Sequence, residues 1–85
     1  MRTYTEEEVL ALMALVEARD GIATVAETAK HAETDILCAR GFLAGETDKA
    51  TRDKLRELAD AVLAITMEAD RIQAALDTIR REVQA

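Results

Sequence analysis

Few residues of this 85-residue chain carry reactive chemistry, and those few are scattered. The single histidine, His31, can titrate or meet a phosphate. A single cysteine, Cys38, excludes an intramolecular disulfide and a cysteine metal cage, and it reads as a small packed hydrophobe beside Ile36, Leu37 and Phe42. The carboxylate pairs Glu7-Glu8 and Asp77-Glu82 have no histidine partner and no metal-ligand spacing, so general acid–base and metal catalysis are not expected, and neither is a cofactor. One tyrosine, one phenylalanine and no tryptophan leave nothing to stack nucleobases on. Binding is therefore expected rather than catalysis. With 11 Lys and Arg against 17 Asp and Glu, the formal charge is −6, and any contact with a polyanion has to be local. Residues 1–46 hold nine acids and four bases, whereas residues 47–60 balance Lys49, Arg52, Lys54 and Arg56 against four acids. Basic groups thus concentrate just after Gly45.

The elements that must position these groups are helices. There is no proline, only three glycines, and 49% of residues are hydrophobic, which predicts an all-α protein of one domain. No apolar run reaches the ~20 residues of a bilayer span, and no signal-peptide core is visible, so a cytoplasmic protein is expected. Thr5 to Glu8, TEEE, is a capping box that starts a first helix, a central strut ended by Arg19-Asp20-Gly21. Thr24-Val25-Ala26-Glu27 is a second capping box, opening a short helix to about Ala32. A turn follows at His31 to Thr34, and Thr34 or Asp35 caps a third helix through Phe42, with Ala39 and Phe42 inward, Gly41 permitting a close approach and Gly45 as its terminator. Met13 and Met67 are expected to fill the core.

After Gly45 no breaker occurs for 40 residues, and Thr47-Asp48 supplies a cap, so one last helix of ~36 residues is predicted. Along it Leu55, Leu58, Val62, Ile65, Ala69, Ile72, Leu76, Ile79 and Val83 follow an unbroken 3,4 spacing, a heptad seam. Its C-terminal half is too long for a small domain to cover. Self-association as a dimer or tetramer is therefore expected through Val62, Ile65, Ala69, Ile72, Leu76, Ile79 and Val83, with residues 1–63 forming the domain and 64–85 the oligomerisation helix.

Two short helices in tandem behind a strut and before a long helix make the layout of a helix-turn-helix. The segment TVAETAKHAETDILCARGFLAG, Thr24 to Gly45, resembles the lambda-repressor-like helix-turn-helix superfamily, including its lactose-repressor-type headpieces. Val25 to Ala29 matches the first motif helix, Phe42-Leu43-Ala44-Gly45 resembles the family's V-L-N-G ending, and TDKATRDKLREL, Thr47 to Leu58, resembles the opening of its following helix. The likeness covers roughly residues 21–63. It implies an all-α, four-helix helix-turn-helix domain whose long last helix extends into a self-associating coiled coil. By the same resemblance the protein is a bacterial or phage transcriptional regulator that binds a palindromic double-stranded DNA site as a homo-oligomer. Arg40, Asp35 and Ile36 would then face base edges, and Lys49, Arg52, Lys30 and His31 would hold phosphates. The acidic composition and the apolar pair Ile36 and Leu37 support an alternative: a helical protein-interaction module, an inhibitor or DNA-mimicking antagonist, that engages a protein partner instead of DNA.

Overall fold

The first helix begins where the sequence predicts. Glu8 N donates to Thr5 Oγ1 at 3.1 Å and Thr5 N donates to Glu8 Oε1 at 3.0 Å, a complete capping box, while Glu6, Glu7 and Glu8 place negative charge at the positive end of the helix dipole. Replacing Thr5 with alanine removes this cap and is expected to cost about 1 kcal/mol. The measurement is the thermal midpoint followed by far-UV circular dichroism, which should fall by a few degrees.

The computed structural model describes residues 3–43 and 45–85, excluding the side chain of Glu46. Its architecture corrects the four-helix expectation. Helix α1 runs unbroken over Glu6–Phe42, a 3-10 turn spans Glu46–Asp48, and α2 runs over Lys49–Gln84. The two helices form one antiparallel hairpin, with no strand among the described residues and no helix-turn-helix. The strut and the two short motif helices are one helix of 37 residues.

The reason lies in how the would-be caps spend their hydroxyls. Thr24 Oγ1 donates to the Asp20 carbonyl and Thr34 Oγ1 to the Lys30 carbonyl, each at 3.1 Å, so both threonines bond back into the helix they were expected to start. Gly21 costs about 1 kcal/mol inside a helix, less than breaking several backbone hydrogen bonds. Gly41 lies in the last turn with open space where a Cβ would stand, so it serves no close approach. Gly45 does carry the turn, at φ +103°, and its carbonyl accepts from Asp48 N and Arg52 Nη2 at 3.3 Å each. The long last helix is present at 36 residues, although Asp48, its N-cap, makes no side-chain capping bond.

Residues 64–85 do not project as a free coil. They pack back along the first half of α1, where Arg19 Nε donates to Asp77 Oδ1 at 2.7 Å and Tyr4 Oη donates to the Gln84 carbonyl at 3.3 Å. The less exposed positions of α1 step 4,3,4,3 from Glu8 to Leu43, and those of α2 step 3,4,3,4 from Arg52 to Val83. At the centre of this seam lie Ala26, Ala29, Ala59, Thr66 and Ala69, the buried residues among those described. Small side chains bring two helix axes toward the short end of the 8–10 Å packing range. The result is a rod with Cα extents of 66 × 16 × 14 Å and a radius of gyration of 19.4 Å, against about 12 Å for a compact domain of this length.

Candidate interaction face

The seam on α2 divides the apolar row that the sequence predicts. Of the seven expected interface residues, Ala69 is buried and Val62, Leu76 and Val83 are half-buried toward α1, so these four serve the hairpin itself. The others belong to a neighbouring row, seven residues apart: Leu58 is 55% exposed, Ile65 51% and Ile79 44%, with Ile72 half-buried. The hairpin therefore pairs the Leu55–Val83 row with Ala59, Thr66, Gln73 and Arg80, not with the larger Leu58–Ile79 row.

That row borders a shallow apolar trough between the helices. Two adjoining hollows of about 330 Å³ each share Val25 and Ile65. One continues to Ile22 and Ile72, the other to Ala32 and Val62. Both open along one side, which suits protruding side chains of another helix better than an enclosed small molecule. Glu68 stands at the rim, where its carboxylate accepts from Arg71 Nε at 3.0 Å and from Arg71 Nη2. The hydrogen bond from Arg71, and then its charge, hold the Glu68 carboxyl below its ordinary range. This pairing is present above the ordinary carboxylate pKa and is lost as pH falls through the depressed value. Both partners are fully solvated, and a pair of that kind orients side chains more than it stabilises the fold.

The expected DNA-contact residues are not brought to one surface suited to a groove. Asp35 is exposed, whereas Ile36 and Arg40 are half-buried on the side of α1 that meets α2. Lys30 and His31 are exposed further down the same helix, and Lys49 is exposed at the start of α2. Arg52 is half-buried and bonded to the Gly45 carbonyl. Three further expectations are corrected. Met13 and Met67 are 58% and 65% exposed, Phe42 is 87% exposed, and Ala39 and Cys38 are exposed. In a two-helix rod no third layer exists to cover them, so each inward assignment that depended on a four-helix core fails. A second exposed apolar cluster, Val9, Leu10, Met13 and Val16, lies on the first three turns of α1. Sequence reasoning did not single it out as a surface, because the same residues read as the inside of a covered strut.

Among the described residues no group of three or more His, Cys, Asp or Glu is placed to hold a metal ion, and no helix is long and apolar enough to cross a membrane. No protein-family model, no curated protein and no solved structure matches the chain, so the helix-turn-helix resemblance rests on the quoted residues alone.

Proposed function

We propose that this chain is a helix-docking module: a two-helix rod that binds protein through the trough centred on Val25 and Ile65. One observation carries the reading. Among the described residues, four alanines and one threonine are buried, and no large side chain is fully enclosed. Leu58, Ile65 and Ile79 each keep about half their surface in water, and covering the remainder contributes roughly 1 kcal/mol per side chain. The chain exposes 6332 Å², against about 5,000 Å² for a compact monomer of this mass. A docked helical surface supplies the missing layer.

Of the two readings the sequence allows, the protein-interaction module is the better supported. Groove recognition needs a short helix free to enter DNA with its reading residues outward. Here Ile36 and Arg40 lie half-buried within a helix of 37 residues. Selection from a random duplex library is expected to enrich no two-fold site.

The direct test is a photoreactive amino acid at position 65, compared with one at exposed, charged Arg71, in cells expressing the chain. Protein adducts are expected at 65 and not at 71. Absence of any protein adduct at 65 refutes the reading.

A further inference from the structure

We infer that the occupant of this trough is a second copy of the same chain, laid loop end against open end to complete a four-helix bundle. The inference rests on the docking reading above and names its partner. Three independent features of the rod support it.

The first is area. A face of 66 by 16 Å presents about 1,000 Å² per copy, above the roughly 800 Å² per partner of a stable interface. A flat two-helix face of that length is matched in shape and extent by another of its own kind. A two-fold axis perpendicular to the rod then makes one patch sufficient for both copies.

The second is the position and pattern of the apolar row. Val25 and Ile65 lie near mid-rod, and both hollows meet there. On α1 the flanking row at seven-residue spacing reads Ala11, Ala18, Val25, Ala32, Ala39, the same in either direction about Val25. Reversing one copy about that point therefore sets small residues against small along α1, and Leu58, Ile65, Ile72 and Ile79 against their equivalents along α2. No charged residue interrupts either row.

The third is charge. In the loop-end third, residues 30–56 carry six basic against five acidic groups, whereas the open-end third, residues 3–16 and 74–85, carries two against five. Loop-to-loop packing would set the two acidic ends against each other, and the reversed arrangement sets each against a weakly basic one. The rim row of α2 repeats this in detail: Lys54, Ala61, Glu68, Ala75 and Glu82 begin positive and end negative. Reversal brings Lys54 of each copy toward Glu82 of the other. The two Glu68 carboxylates near the axis are each neutralised by their own Arg71.

Sedimentation equilibrium tests the stoichiometry. The expected mass is twice the 9.3 kDa of the chain, with a thermal midpoint that rises with protein concentration. A folded monomer with a concentration-independent midpoint overturns the proposal. Ile65→Asp places a carboxylate at the centre of the interface and is expected to weaken dimerisation roughly tenfold or more. Leu63→Asp, at an exposed residue on the other side of α2, is expected to leave dimerisation unchanged, and equal effects from both overturn it. Should Ile65→Asp fail to fold, the concentration dependence of the unmodified chain still decides.

Orientation is read from spin labels on the single, exposed Cys38. Thirteen residues separate it from Val25, so two labels on reversed copies lie roughly 40 Å apart along the bundle. A short distance, with both labels at one end, overturns the reversed arrangement. Crosslinks from position 65 separate the two proposals: adducts only to a different protein leave the docking reading and remove the second copy, and no adduct removes both.

Discussion

Replacing Ala59 with leucine is expected to be among the most damaging single substitutions in the rod, costing about 1–3 kcal/mol by overpacking. Ala59 is 3% exposed and lies in the seam where alanines of both helices meet. Three extra carbons there have no hollow to enter, because the open trough lies along the Val25 and Ile65 side. The helices must separate, and separation weakens contacts along several turns. Ala74→Leu, the same change at an exposed position of the same helix, is expected to stay within about 0.5 kcal/mol of the parent. Chemical denaturation of the two variants side by side makes the measurement. Equal midpoints would refute the close-packed alanine seam.

The second large effect is at the turn. Gly45 has φ +103°, a conformation that a β-branched residue adopts only under strain of order 1–3 kcal/mol. Gly45→Val is therefore expected to destabilise the hairpin although its Cβ would meet no atom within 4 Å. The cost is backbone strain alone, without a clash. Gly21→Ala and Gly41→Ala provide the contrast. Both positions are helical with equally open surroundings, so alanine is expected to stabilise each by up to about 1 kcal/mol. Opposite signs for replacements at glycines with identical free space are the diagnostic. Tolerance of valine at position 45 would mean that the turn does not need its positive φ.

The same turn affects assembly. Arg52 Nη2 donates to the Gly45 carbonyl, and Arg40 lies on the facing side of α1 in its last turn. Two of the basic groups that resemblance would assign to DNA thus lie where the rod closes. The loop end carries the less acidic third of the charge, and that distribution bears on which way round a second copy lies.

Much was legible in the residues themselves. Helix content, the start at Thr5, the turn at Gly45 and the length of the last helix follow from local chemistry: a side chain that bonds the nearest amides, a glycine that tolerates positive φ, and the absence of breakers. The heptad spacing along Leu55 to Val83 was also legible, because seven-residue periodicity is a property of one helix.

What local chemistry did not decide was where helix α1 stops and which side of the heptad row meets a partner. Thr24 and Thr34 have the residue type of caps, but a threonine hydroxyl can equally bond the carbonyl four residues back, and the choice depends on whether the next turn gains from staying helical. A 36-residue helix packed along α1 supplies that gain at every turn. Similarly, the Leu55–Val83 row can be completed by Leu58, Ile65, Ile72 and Ile79 on one side or by Ala59, Thr66, Gln73 and Arg80 on the other. Size alone favours the former. Close packing against Ala26 and Ala29 selects the latter, because two alanine surfaces approach more closely than an alanine and an isoleucine. The sequence by itself determined the helices, the turn and the period of the apolar pattern, all set by contacts within a few residues. Only the tertiary structure decided that two helices share an alanine seam and leave the isoleucine row outward, because that choice depends on the surface of a segment some forty residues away.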